Sequence, residues 1–135
     1  MNTKMRELVT NSVQANILSP DLAEILDAGF VERDGCIVLA EEANKTTRNA
    51  SMDAIGYESF VNHLHIKSFS MALLFANDLA SALGRAFVER FVVILSFDGD
   101  TATVRFHKDR LDKTWLDVSE LENFKDEAVG VLYSS

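Results

Sequence analysis

The segment from Phe91 to His107 constrains the fold of this chain most tightly. Residues 91–97 are FVVILSF, Asp98-Gly99 follows, and residues 102–107 alternate apolar and polar side chains. Asp-Gly between two such runs is a strong signal for a two-residue hairpin turn. This turn predicts three facing pairs on one apolar face: Leu95 with Ala102, Val93 with Val104, and Phe91 with Phe106. We expect this hairpin to form the centre of a small sheet.

Two helices and a smaller hairpin are predicted at the start of the chain. Apolar residues at helical spacing indicate a first helix from about Thr3 to Leu18. Ser19-Pro20-Asp21 begins a second, short helix, because Ser is a good N-cap and Pro suits the first helical position, and Gly29 ends it. Residues 30–40, with Asp34-Gly35 at the turn, are typical of a minor hairpin.

The middle of the chain predicts two more helices. A short amphipathic helix follows Gly56, with its apolar face formed by Tyr57, Phe60, Val61 and Leu64. A wide apolar stripe then predicts a long buried helix from about Phe69 to Phe87, docked on the hairpin. In that position, Leu74→Ala or Leu79→Ala should each cost about 2–5 kcal/mol of folding free energy.

The end of the chain predicts a short helix and a terminal strand. Asp117 and Glu120 form a capping-box pattern that begins the helix. Residues 127–133 should pair with an edge of the main hairpin. The predicted class is α+β in a single domain, residues 1–135. A small antiparallel sheet, with strands at about 91–97, 101–108 and 127–133 plus the minor hairpin at 30–40, packs against several helices.

The net charge limits the partners of such a domain. The chain has 21 acidic and 13 basic residues, a net charge of −8 and a pI of about 4.8. This charge repels phosphate backbones and anionic lipid and favours a basic protein partner, so we expect neither direct nucleic-acid binding nor membrane binding. Solubility alone is the alternative explanation of the charge.

The single cysteine and the N-terminal residues bear on the compartment. Cys36 lies in an apolar run and is expected to be a buried side chain, and one cysteine allows no internal disulfide. The first residues form no apolar signal segment, and no run of about 18 uncharged apolar residues occurs. We expect a cytoplasmic protein.

The sequence contains few candidates for chemistry. It lacks the G-x-S-x-G, Walker A and G-x-G-x-x-G patterns, so no catalytic activity and no cofactor are predicted. His63 and His65 could ligate zinc from a strand, but this segment is predicted to be helical, so no metal site is expected. Arg105 and His107 share one face of their strand, spaced like a phosphate-handling pair. We favour the alternative that they are surface residues.

The opposite face of the central hairpin is mixed. Val92 and Ile94 lie there beside Thr103, Arg105 and His107. Another element covers this face, or it is open to a partner.

Residues 104–131 carry a family resemblance. The segments VRFHK at 104–108, WL at 115–116, ELE at 120–122 and KDEAVGV at 125–131 resemble the C-terminal part of small acidic bacterial immunity proteins. Those proteins protect the producing cell from contact-dependent growth inhibition toxins or related polymorphic toxins. The resemblance implies a cytoplasmic protein without catalysis that binds the C-terminal toxin domain of a secreted effector. That toxin domain is expected to be a basic protein and a nuclease. The immunity protein would block its active site or the entry of its substrate.

The acidic residues suggest where such a toxin would bind. Residues 98–127 contain nine acidic and five basic residues. Trp115 is a candidate aromatic anchor in the same segment. The predicted partner-binding residues are Asp98, Asp100, Asp109, Asp112, Trp115, Asp117, Glu120 and Glu122, with Glu41 and Glu42 as a second cluster. A solvated acidic face is the alternative.

Two other functions stay open at this point. One is a small hydrolase or nuclease that uses Arg105 and His107. The other is a non-catalytic regulatory or structural subunit whose terminal strand joins the edge of another sheet. The oligomeric state is open as well.

Overall fold

A computed structural model describes residues 2–11, 17–33, 35–43, 53–110 and 128–134, and within them the fold is α+β, as predicted. The described helices are α1 (Thr3–Asn11), α2 (Pro20–Ala28), α3 (Ala54–Val61) and α4 (Phe69–Ala86). The described strands are β1 (Phe30–Arg33), β2 (Cys36–Leu39), β3 (His63–Ile66), β4 (Phe91–Phe97), β5 (Ala102–Lys108) and β6 (Ala128–Tyr133).

The main sheet has the strand order β3-β5-β4-β6, and all neighbours are antiparallel. The predicted central hairpin is confirmed as β4 and β5, and the terminal strand β6 pairs with the free edge of β4, as expected. Strand β3 was not predicted. It pairs with β5, so that His63 is the partner of Arg105 and His65 the partner of Thr103.

The predicted register of the central hairpin is wrong by two residues. Phe97 pairs with Ala102, and Leu95 pairs with Val104 rather than Ala102. Asp98 causes the difference, because its side-chain Oδ1 accepts hydrogen bonds from the backbone N–H groups of Asp100 and Thr101, both at 2.9 Å. This closes a four-residue loop instead of a two-residue turn. A shift of two residues leaves every side chain on its predicted face.

Helix α4 covers the inner face of the main sheet. Phe75, Leu79 and Leu83 are fully buried in one apolar core with inward-facing side chains of β4 and β5. Ser68 begins the helix by accepting a hydrogen bond from the N–H of Met71 at 3.2 Å. The long buried helix is therefore confirmed.

Strand β2 of the small hairpin is buried on both of its faces, whereas β1 is half-buried at Phe30 and Val31 and exposed at Glu32 and Arg33. Alternate side chains of β2 enter different clusters: Ile37 and Leu39 join the main core, whereas Cys36 and Val38 pack with Tyr57 and Val61 of α3. The predicted burial of Cys36 is confirmed. Strand β2 thus lies between the main core and α3, with β1 on its outer side.

Some predicted helix boundaries need correction. Helix α1 is described only as far as Asn11, and Leu18, where it was predicted to end, lies outside any helix. Helix α3 begins before Gly56, because the side chain of Asp53 caps it by accepting from the Gly56 N–H at 2.7 Å. Leu64 belongs to β3 instead of this helix. Helix α2 begins and ends as predicted, with Gly29 after its last residue at φ 77°, but the Ser19 side chain forms no capping hydrogen bond to the helix.

The outer face of the main sheet is covered at its centre. Val92, Ile94 and Val129 form a small buried cluster there, which answers the question of whether this apolar surface is open. Asn2 is hydrogen-bonded to the outer edge of β6. Its backbone N–H donates to the Val129 carbonyl at 2.8 Å, and its side-chain Oδ1 accepts from the Val129 N–H at 2.9 Å.

The predicted short helix begun by Asp117 and Glu120 lies outside the described residues. Among the helices in the described ranges, none has the length and apolar character needed to cross a membrane.

Candidate functional site

A buried carboxylate lies where α3 meets both sheets. The side chain of Glu58 is fully buried, and Arg110 donates to its Oε1 at 2.6 Å. Backbone N–H groups of both sheets also donate to it, from Ile37 at 2.7 Å and from Lys108 at 3.1 Å. Three donors from separate segments satisfy this charge, which is the usual condition for a buried carboxylate.

One helical turn later, Asn62 continues the same contact. Its Oδ1 accepts from the Leu39 N–H at 2.9 Å, and its Nδ2 donates to the Ile37 carbonyl at 2.8 Å. Its backbone carbonyl accepts from the Phe106 N–H at 3.2 Å. Glu58 and Asn62 therefore take the place of a neighbouring strand along the edges of β2 and β5. We call these two residues, with Arg110, the edge bracket.

His107 lies near the edge bracket but is closed to solvent. Its Nδ1 lies 2.7 Å from the Lys108 carbonyl, which makes Nδ1 the protonated nitrogen, and its buried Nε2 has no hydrogen-bond partner among the described residues. Burial lowers the pKa of this imidazole, against the opposing effects of the Lys108 carbonyl and Glu58. The expectation that His107 is a surface residue is wrong, because it is 0% exposed. Arg105 is half-buried on the same strand.

The described acidic candidates occupy separate places. Asp98 and Asp100 are exposed at the tip of the β4–β5 hairpin, whereas Asp109 is exposed at its opposite end. A seven-residue strand separates the two ends by about 23 Å. Glu41 is exposed and Glu42 half-buried after β2. The remaining candidates lie outside the described residues: Asp112, Trp115, Asp117, Glu120 and Glu122.

The hairpin tip holds its charge in a fixed arrangement. Hydrogen bonds from the backbone of Thr101 and Asp100 lower the pKa of the Asp98 carboxyl, and the charge of His65 lowers it further. Residues 91–104 contain no Lys or Arg. The tip is therefore an ordered acidic point, and the nearest positive charges come from the neighbouring strand β3 and the residue after it, His65 and Lys67.

The other end of the hairpin carries an aromatic surface. The Arg90 guanidinium lies 3.9 Å from the centre of the Tyr133 ring and pairs with Asp109 at 3.2 Å. Val88 is 98% exposed and Tyr133 42% exposed. This group differs from the hairpin tip because its acidic charge is paired.

His63 and His65 lie side by side on β3, which contradicts the predicted helix. In a strand, residues two apart share a face, and the centres of these rings are 5.3 Å apart. Within the described ranges, no group of three or more His, Cys, Asp or Glu is arranged to hold a metal ion.

Two open grooves flank α4. A groove of 470 Å³ is bordered by Asn77, Gly84 and Tyr133, and one of 430 Å³ by Leu26, Asp27 and Asp78. Ser81 and Arg85 border both. Neither described lining contains a histidine or cysteine, the usual groups of a base and nucleophile pair.

The sequence contains signals for both Glu58 and strand β3. Glu58 is the only charged residue in the apolar segment 54–61, and a carboxylate in such a segment needs buried partners. Polar and apolar side chains alternate in HLHI at 63–66, which is the two-residue period of a strand.

The described residues define an α+β protein in which a four-stranded antiparallel sheet and a small two-stranded hairpin are joined by helices. The chain belongs to the family described as the Uncharacterized protein PM0498 family, whose model matches residues 1–135. No curated protein and no solved structure matches the chain.

Proposed function

We propose that this protein is an immunity protein that binds and neutralises the toxin domain of a contact-dependent growth inhibition effector or related polymorphic toxin. The toxin domain in this proposal is a basic protein and a nuclease. Binding takes place in the cytoplasm and blocks the toxin's active site or substrate entry. The protein itself catalyses no reaction.

The ordered acidic tip of the β4–β5 hairpin is the observation that carries the proposal. Asp98 and Asp100 are exposed, and the loop is closed by hydrogen bonds to Asp98. A nuclease is basic where it holds its substrate, so a rigid acidic projection on a chain of net charge −8 is steered towards that surface. Because the loop is already ordered, binding costs little further conformational entropy.

The opposite end of the hairpin offers apolar anchors for a second contact. Tyr133 and Val88 are exposed, and Tyr and Arg are the residue types that dominate binding energy in protein interfaces. Arg90 is already stacked on Tyr133 and therefore held in position.

The competing functions have less support. A hydrolase using Arg105 and His107 needs an imidazole that reaches a substrate, whereas His107 is buried and hydrogen-bonded to the Lys108 carbonyl. A subunit that joins another sheet through its terminal strand needs a free β6 edge, and Asn2 occupies that edge at Val129.

Co-expression and binding test the proposal directly. The protein should rescue cells that produce its cognate toxin domain, which should be encoded beside its gene, and it should bind that domain in a pull-down. At low salt, Asp98→Asn with Asp100→Asn should slow association several-fold, because rim charges act mainly on the association rate. Asn at position 98 keeps an oxygen that can accept the loop hydrogen bonds.

Glu24→Gln with Asp27→Asn is the matched control, because it removes two exposed acidic charges from α2. This pair should change the association rate much less. If both double variants slow association equally, the hairpin tip acts only through the net charge of the protein. If the Asp98→Asn and Asp100→Asn variant has no effect, the hairpin tip does not contact the toxin. Failure to rescue and to bind would contradict the proposed function.

Charge reversal of Asp117, Glu120 and Glu122 tests the other predicted acidic surface. It should weaken toxin binding most strongly at low salt. An unchanged association rate would remove these three residues from the interface. Turnover by the purified protein that Arg105→Ala abolishes would instead support the hydrolase.

A further inference from the structure

The pair of histidines on β3 has a specific geometry. Strand β3 is hydrogen-bonded to β5, and His63 and His65 project from the same face because they are two residues apart. The ring centres are 5.3 Å apart and the ring planes meet at 79°. His65 is exposed and His63 half-buried.

This separation matches two imidazoles on one tetrahedral cation. A Zn–N bond is about 2.0–2.1 Å and the ring centre lies about 1.1 Å behind the nitrogen, so the cation is about 3.2 Å from each ring centre. A tetrahedral angle of about 109° then places the two ring centres about 5.2 Å apart. The right angle of a square-planar or octahedral site would require about 4.5 Å. The observed 5.3 Å is compatible with the tetrahedral value, and with the 79° angle it is also the geometry of an edge-to-face contact between the two rings.

Neighbouring side chains both favour and oppose a cation at this position. The Oγ1 of Thr103 lies 3.2 Å from Nδ1 of His65, which leaves Nε2 of His65 for a metal. Such a hydrogen bond on the second ring nitrogen is the usual way in which a metal-binding histidine is oriented. Asp98 is close enough for its carboxylate to interact with the charge of His65. Arg105, the strand partner of His63, opposes cation binding by its charge.

We propose that His63 and His65 form a two-histidine site for a divalent cation that takes tetrahedral nitrogen ligands, Zn²⁺ above all. Water or a group from a binding partner completes the coordination. Imidazole suits Zn²⁺, whereas Mg²⁺ and Ca²⁺ prefer oxygen ligands. Thr103 is a positioning residue for His65. This site is independent of the proposed toxin neutralisation, so either proposal can fail alone.

Calorimetric titration of the untagged, full-length protein with zinc chloride tests the site. We expect one Zn²⁺ per chain, with affinity reduced at least about tenfold by His63→Ala or His65→Ala and abolished by both. Thr103→Val should reduce zinc affinity about tenfold without changing the thermal midpoint, since loss of an outer hydrogen bond to a ligand weakens metal binding. Calcium chloride should give no binding that depends on these histidines.

Lys67→Ala is the control, because Lys67 is exposed immediately after β3. It should leave zinc affinity unchanged or slightly raise it by removing a positive charge. His107, the third histidine of the chain, is unchanged in every variant, so any zinc binding by His107 would persist in the double variant. The proposal is overturned if the protein binds no zinc at millimolar concentration, or if the double histidine variant binds zinc as tightly as the original chain.

Discussion

Leu79 and Leu74 lie on the same helix, but the packing around them differs. Leu79 is 1% exposed within the main core, whereas Leu74 is half-buried on the flank of α4. Leu79→Ala should lower the free energy of unfolding by about 2–5 kcal/mol, because it leaves a cavity in the core. Leu74→Ala should cost less, since part of its side chain already contacts water. Urea denaturation of the two variants measures the difference, and equal losses would contradict this packing.

His107 should make stability depend on pH. Its pKa in the folded protein lies below the ordinary value of 6.5, chiefly because of burial. Below about pH 6.5 the unfolded chain therefore takes up a proton that the folded chain does not. The contribution is complete above that pH and is lost as the pH falls towards the folded-state pKa, with a slope of at most about 1.4 kcal/mol per pH unit.

Denaturation between pH 7.5 and 5.0 measures that slope. His107→Asn should flatten it, because asparagine does not titrate and its amide can still donate towards the Lys108 carbonyl. A slope that His107→Asn does not alter would assign the pH dependence to other groups.

At the scale of elements, the edge bracket joins α3 to both sheets. Glu58→Ala should lower the free energy of unfolding by about 3–5 kcal/mol, because it removes one member of a buried ion pair and leaves two backbone donors without an acceptor. Glu58→Gln should cost less, since its amide oxygen still accepts one of these bonds. Glu24→Ala on exposed α2 is the control, and thermal or urea unfolding provides the measurement. A loss below about 1 kcal/mol for Glu58→Ala would contradict a structural role for the bracket.

The elements that were predicted correctly have strong local signals. Asp98-Gly99 marked the central hairpin, Ser19-Pro20 marked the start of α2, and a long apolar stripe marked α4. The missed strand β3 has only four residues, and the helical pattern of the preceding segment was extended over it. The register was wrong because the Asp98 side chain, rather than the Asp-Gly dipeptide, determines the loop length. Side-chain hydrogen bonds of this kind have no periodicity in a sequence.

At the scale of the whole molecule, net charge could be counted from the sequence but its distribution could not. Acidic residues that are close in sequence, such as Asp100 and Asp109, lie at opposite ends of one hairpin because β5 runs between them. The edge bracket was also hidden, because it joins residues about 20 to 50 positions apart. Long-range pairs like these depend on the assembled topology, which a single sequence does not reveal.

The position of the small hairpin between the main core and α3 has a consequence for hydrogen exchange. A two-stranded ribbon on its own is marginally stable, and its amide protons would normally exchange quickly. Here the Ile37 and Leu39 amides are hydrogen-bonded to Glu58 and Asn62 inside the molecule, so local fraying cannot release them. They should exchange as slowly as the Val93 amide in the central strand β4, through global unfolding, and become deuterated together with it.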